Sequence, residues 1–266
     1  MQQGNVYWDW SAMERDGVMP SILAIGDSWF WYPFPGGSLI SRIGPLVAPR
    51  SHTILALGNN GAKAHDYAAG KYHLAVETAL RLQGSSLSAV FISGGGNDFA
   101  GFNDLRPMLR RDCSQAPDAA SCFADPAQVG SLDALMQDMA DSYHTLIDAI
   151  RTATSAGCQI VLHNYDVPIP TGAGLFGHRH AWLKPALDDA GVPAGLQQSC
   201  LALVLTRFTA VLQQLANRDP AHVTLIDSRG TLSPSDWANE LHPTPDGFDR
   251  IAVQRWLPAL RGIGLA

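Results

Sequence analysis

Residues 21–29 read SILAIGDSW. Ile22 to Ile25 form a short apolar run, which stops at Gly26 and gives way to the polar pair Asp27-Ser28. An apolar run without alternation suits a strand buried on both faces, as in a parallel sheet covered by helices. Four more runs of the same kind lie downstream: HTILAL (52–57), SAVFIS (88–93), CQIVLH (158–163) and HVTLI (222–226). Helical patterns separate them. The clearest runs from Leu132 to about Thr154, with Leu132, Leu135, Met136, Met139, Tyr143, Leu146, Ile147 and Ile150 at helical spacing and Gly157 as a stop. Asp66–Leu82, Leu201–Ala216 and Phe248–Leu260 carry fainter versions. Strands alternating with helices predict an α/β fold with a five-stranded parallel sheet, in which the site lies beyond the carboxyl ends of the strands.

The whole chain, 1–266, reads as a single domain with two long insertions, near 101–130 and 166–199. Loops of that length in a compact domain are commonly functional. Both follow strands, so lids over a site and plain surface decoration are both open readings. The bulk numbers suit a globular protein: 46% hydrophobic and 16% charged residues, a formal charge of −6 and a mean hydropathy of zero. No basic patch suggests nucleic acid as a partner. No stretch reads as a membrane span. Met1 to Trp10 lacks the layout of a signal peptide, so the cytoplasm is the default expectation, and a removed signal is not excluded. Cys113 and Cys122 bracket a short loop and would pair in an oxidising compartment; four free thiols, with Cys158 and Cys200 buried, is the plainer reading.

The residues after the strands carry the chemistry. Gly26-Asp27-Ser28-Trp29 follows the first, Gly58-Asn59-Asn60-Gly61 the second and Gly94-Gly95-Gly96-Asn97-Asp98 the third; Asn239-Glu240-Leu241-His242-Pro243 lies near the C-terminus. A serine hydroxyl needs a base to become nucleophilic, and histidine is suited to that task. The oxyanion of an acyl-transfer intermediate needs donors aimed at it. Ser28 and His242 are the candidate nucleophile and base. The backbone N–H groups of Ser28 and Gly61 and the Asn97 amide are the candidate oxyanion donors.

These four blocks, in this order, resemble the GDSL/SGNH hydrolase superfamily. Any one block occurs by chance; the set spans residues 26 to 242. The resemblance implies a flavodoxin-like, three-layer α/β/α fold and hydrolysis of a small-molecule ester, thioester or acetylated sugar, with no cofactor and no metal. One position departs from the pattern. Three residues before His242, where the family carries aspartate, stands Asn239. Asparagine can accept a hydrogen bond from the imidazole but brings no charge. Asn239 as orienting residue, a Ser-His dyad held by a backbone carbonyl, and a substitute acid (Glu240 or Asp236) are the three arrangements open.

Other residues have more ordinary readings. Asp27, Asp98 and Asp227 are expected to hold turns. His163, His178 and His180 lack partners at metal-ligand spacing. Trp29-Phe30-Trp31-Tyr32-Pro33-Phe34 places five aromatics after the candidate nucleophile, and Trp29 and Trp31 are the expected wall of an acyl pocket. Carboxylesterase action on short-chain or aromatic esters is the leading functional reading, beside acetyl-sugar esterase, thioesterase and lysophospholipase. The reading from another class is a weakened, ligand-binding descendant, which Asn239 favours and the joint presence of Ser28, Gly61, Asn97 and His242 opposes. A flavodoxin-type FMN site would need a phosphate loop that the first strand does not supply.

Overall fold

All five apolar runs form strands, and a sixth precedes them. The computed structural model describes residues 4–31, 37–175, 177 and 181–266. The strands are β1 (Val6–Tyr7), β2 (Ile22–Gly26), β3 (Ile54–Gly58), β4 (Ala89–Ser93), β5 (Gln159–His163) and β6 (Val223–Ile226). Every pairing is parallel, in the order β1-β3-β2-β4-β5-β6. The sheet therefore has six strands where the pattern predicts five. Two residues at an edge are too few to show a periodicity, which is why β1 escapes it. β2 and β4 are buried at every position, which accounts for their unbroken apolar sequence.

The helices are α1 (Trp10–Asp16), α2 (Leu39–Val47), α3 (Ala64–Ala68), α4 (His73–Gln83), α5 (Phe102–Leu105), α6 (Leu132–Ala153), α7 (Lys184–Asp189), α8 (Ala194–Arg218), α9 (Pro245–Ile251) and α10 (Leu257–Gly262). α3, α4 and α8 pack on α6, while α2 packs on α9 and α10, giving one helical layer on each face of the sheet. The fold is thus α/β, three-layered, as expected. α6 matches its pattern closely, and its N-cap is Ser131, whose side chain accepts the Ala134 N–H. The 66–82 pattern divides into two helices, because the chain turns at Gly70, whose N–H closes α3 on the His65 carbonyl. The C-terminal pattern holds α9 and α10 with a π turn, Ala252–Trp256, between them. α8 begins at Ala194, earlier than the pattern suggests. An 18-residue window of it reaches a mean hydropathy of 1.4, enough to cross a membrane by length and composition alone, which corrects the sequence reading that no stretch qualifies. Here α8 packs against β6 and α6, with Cys200, Leu201, Val204, Leu205, Phe208 and Leu212 buried.

The 101–130 insertion is folded onto the core. Leu105, Met108, Leu109 and Phe123 are buried, and Leu109 bridges Phe123 in antiparallel fashion. Arg106 ties the segment together, donating to the carbonyls of Leu109, Arg110 and Arg111 and to Asp189 at 2.6 Å. Cys113, Cys122, Cys158 and Cys200 are all buried thiols, and Cys113 donates to the Cys122 carbonyl at 3.3 Å rather than pairing with its sulfur.

Parallel pairing in register brings the strand ends level. Gly26 lies opposite Gly58 on β3 and Ser93 on β4. Just past β4, Gly95 takes φ +114°, and a Cβ there would stand 2.5 Å from Met139 Cε and 3.0 Å from Phe208 Cζ. Backbone strain and overpacking coincide at this turn. Gly95→Ala is expected to cost about 2–3 kcal/mol in urea unfolding; a loss of a few tenths would show that the turn relaxes freely.

Candidate active site

The site gathers at these strand ends. Asp27 opens the turn after β2, accepting the Trp29 N–H on Oδ1 at 3.0 Å. That local bond turns the chain and leaves Ser28 facing the loop before α9. His242 comes from that loop. Its Nε2 lies 2.8 Å from Ser28 Oγ, although the two residues are 214 apart in sequence. Ser28 is 9% exposed and His242 6%.

Asn239 decides how the imidazole sits. Its Oδ1 accepts the backbone N–H of Leu241 at 3.0 Å and of His242 at 2.9 Å. Two backbone donors identify that atom as the oxygen, because an amide NH₂ there would face donors. The same oxygen lies 3.1 Å from His242 Nδ1. Nδ1 must then carry the proton, and Nε2 presents its lone pair to the serine hydroxyl. Of the three arrangements open to the sequence, the geometry matches the first. Asp236 accepts from Ser233 and meets Arg250, and Glu240 accepts from Gly172 and from Trp182, Leu183 and Lys184. Burial pushes the His242 pKa down to about 4.

Asn97 stands in the turn after β4, donating from Nδ2 to the Ala62 carbonyl at 3.0 Å and, more loosely, to Asp27 Oδ2 at 3.4 Å. The first bond joins it to the turn that holds Gly61. Gly61 itself is exposed, at φ +72°, a conformation that favours glycine. Asp27 is buried, and burial pushes its pKa up to about 6 although Tyr165 donates to Oδ2 at 2.7 Å. Tyr165 was not singled out by the sequence; its place two residues past β5 was the signal.

A narrow pocket opens beside Ser28, between Asn97, Phe99, Ala100, Pro168, Leu205 and Trp237. Its accessible void is about 30 Å³. Trp29 lines it too, packing edge-on against Tyr165 and Phe248, while its Nε1–H donates to the Leu241 carbonyl at 2.9 Å. Trp31 is not among the lining residues; it lies against Gly58, so closely that a Cβ there would be 2.2 Å from its own. Tyr32, Pro33 and Phe34 lie outside the described residues, as do His178 and His180. His163 is buried beneath the site between the hydroxyls of Ser93 and Ser228, at 3.0 and 2.8 Å. Among the described residues no cluster of His, Cys, Asp and Glu could hold a metal ion. Asp227 pairs with Arg229 and caps its turn, as read from the sequence.

Comparison with known proteins fits this geometry. The family model described as GDSL-like lipase/acylhydrolase matches residues 24–250. The chain belongs to that family. The GDSL-like family is one of ester hydrolases, which is the activity that membership implies. No curated protein matches the chain. Among solved structures, a lipase from goat rumen metagenome aligns with TM-score 0.58 and 13% identity over 93% of this chain and 99% of its own. An extracellular lipase from Streptomyces rimosus aligns with TM-score 0.57 and 18% identity, over 92% and 99%. Phospholipase A1 from Streptomyces albidoflavus NA297 gives 0.54 and 16%, over 92% and 99%. Identities this low show a shared fold.

Asp98, next to Asn97, makes the site region sensitive to pH. It accepts the Ala64 N–H at 2.9 Å, and burial pushes its pKa up to about 7. An unfolded aspartate titrates near ~4. Between those values the folded protein binds more protons than the unfolded chain, so this residue lowers stability as pH rises through that window. Asp98→Asn keeps an acceptor for Ala64. The variant is expected to gain Tm over wild type at about pH 8 and little at about pH 4; an equal gain at both would refute the shift.

Proposed function

We propose that the protein hydrolyses short-chain carboxylic esters through an acyl-enzyme on Ser28. The observation that carries this is the continuous chain from Ser28 Oγ to His242 Nε2 at 2.8 Å and from His242 Nδ1 to Asn239 Oδ1 at 3.1 Å. In this reading Ser28 Oγ attacks the ester carbonyl while His242 takes its proton. The imidazolium returns that proton to the leaving alcohol. Water then repeats the sequence on the acyl-enzyme. The backbone N–H groups of Ser28 and Gly61 and the Asn97 amide receive the oxyanion. The long 3.4 Å contact from Asn97 to Asp27 is the one that the oxyanion would replace.

A void of about 30 Å³ beside the nucleophile favours an acetyl or similarly small acyl group; a single water needs roughly 10–15 Å³ on that measure. Its apolar lining favours a hydrocarbon over a sugar. Trp29 belongs to that wall. Trp31, against Gly58, would reach an acyl chain only beyond the pocket. Sugar acetates, thioesters and lysophospholipids share the chemistry and differ in what lies outside the pocket.

Hydrolysis of p-nitrophenyl acetate, butyrate and octanoate by wild type and Ser28→Ala tests the proposal. Acetate and butyrate are expected to turn over faster than octanoate, and the variant to fall to background. No turnover of any ester by the wild type would instead favour a ligand-binding protein with a weakened site.

Asn239 gives a second test. Asn239→Ala removes the orienting acceptor and should lower kcat by about tenfold or more; unchanged turnover would remove Asn239 from the mechanism. Asn239→Asp restores a charge at the same geometry. A base with pKa about 4 is a poor proton acceptor at neutral pH. The acid limb of kcat/KM should therefore centre near 4 in the wild type, because His242 is lost as a base below that value. In Asn239→Asp the limb should move up toward ~6.5 and kcat should rise. A wild-type limb already near 6–7 would contradict the buried, uncharged partner.

A further inference from the structure

Glu240 is the residue that the proposed chemistry leaves unused, and it is fully buried. A carboxylate at 0% exposure needs partners on both oxygens. Its partners are all backbone donors. Oε1 accepts the N–H of Gly172 at 2.8 Å and of Lys184 at 3.2 Å. Oε2 accepts the N–H of Trp182 and of Leu183, each at 2.8 Å. The Glu240 N–H donates in turn to the Ala173 carbonyl at 3.0 Å. One side chain thus gathers two stretches of the 166–199 insertion onto the loop that carries His242.

The consequence is felt at His242. Trp182, whose N–H is one of the four donors, places its indole against the imidazole, with ring centroids 5.9 Å apart and planes at 77°. The T-shaped arrangement is a favoured one for aromatic pairs. Asn239 holds the ring at one atom, Nδ1. Ser28 Oγ meets the ring at Nε2, so both bonds lie along one line through the imidazole, and the packed indole restrains tilting about that line.

We propose that Glu240 is a positioning residue for His242, acting through Trp182: its carboxylate seats the Trp182 backbone, and the indole then braces the imidazole. This rests on His242 being the base of the proposed hydrolase. Glu240 does not serve as the missing acid, since both oxygens are engaged by the N–H groups of Gly172, Trp182, Leu183 and Lys184. Glu240→Gln keeps the volume but turns an NH₂ toward N–H donors, which breaks the cradle.

The test is a double-mutant cycle with two readouts. The first is the position of the His242 ring C–H signals in proton NMR, which the Trp182 ring current displaces. The second is kcat for p-nitrophenyl acetate, checked by the rate at which a fluorophosphonate labels Ser28. Trp182→Ala and Glu240→Gln should each shift the His242 signals the same way and lower kcat by about tenfold, while Trp182→Phe retains most of the rate. The double variant should be no slower than the slower single one. Losses that multiply, or a Glu240→Gln protein whose His242 signals stay in place, would overturn the proposal and leave Glu240 with a role in the fold alone. Glu240→Asp, which withdraws the carboxylate by one methylene, supplies the same readouts should the amide variant fail to fold. A wild type inert toward esters whose His242 signals still move in both variants would support the positioning and refute the hydrolase reading separately.

Discussion

The amide oxygen of Asn239 is the atom on which the rest of the site depends. It accepts three N–H groups at once, two from the backbone of its own turn and one from the His242 ring. The backbone bonds shape the turn, and the ring bond sets the tautomer. Were the amide reversed, its NH₂ would oppose two backbone donors, so the geometry admits one orientation only. From that single choice follows the lone pair on Nε2, and from the lone pair the contact with Ser28. The turn is closed by the Ala238 N–H on the His242 carbonyl at 2.9 Å and by the bridge between Trp237 and Pro243.

What asparagine does not provide is charge. Burial lowers the His242 pKa, and a value of about 4 corresponds to about 3 kcal/mol against protonation at this position. An aspartate would offset much of that, because an opposite charge within hydrogen-bonding distance favours the imidazolium. Orientation and electrostatic support, which one aspartate combines, are separate here. The orientation is present, and the charge of an aspartate at that position is not. The carboxylates of Asp27 and Glu240 are engaged by other groups. Asp27 is bonded to Trp29 and Tyr165, and Glu240 to four backbone donors.

Residues whose role is set by neighbours in the chain were legible in the sequence. Asp27 caps its own turn, Asn239 reaches a histidine three residues on, and the strands β2 to β6 are apolar because both their faces are covered. The site blocks were legible because each follows a strand, or lies in the turn before a helix. Residues whose role is set across the fold were not. Glu240 finds its partners 56 to 68 residues away, and they are backbone groups, which leave no trace in residue type. Trp31 sits directly after the Asp27–Ser28 turn, yet it packs on Gly58 rather than the pocket, because β2 and β3 end side by side. Cys113 and Cys122 suggested a bridge by spacing, and the core that buries them lies under a segment that reads as polar.

Four consecutive residues therefore divide the work of the last block. Asn239 orients the ring, Glu240 gathers the 166–199 insertion, the Leu241 carbonyl receives the Trp29 indole N–H, and His242 meets Ser28. The loop is tied in three directions: to the nucleophile turn, to the insertion and to itself. A change in the insertion can thus reach the imidazole without touching the pocket, and a change at Trp29 can reach it through Leu241. For the same reason, the pocket wall and the placement of His242 cannot vary independently: Trp29 belongs to both. Under the proposed hydrolysis, a substitution that widens the pocket at Trp29 would also loosen the loop that carries His242, so room for a longer acyl chain would come with a less well placed base.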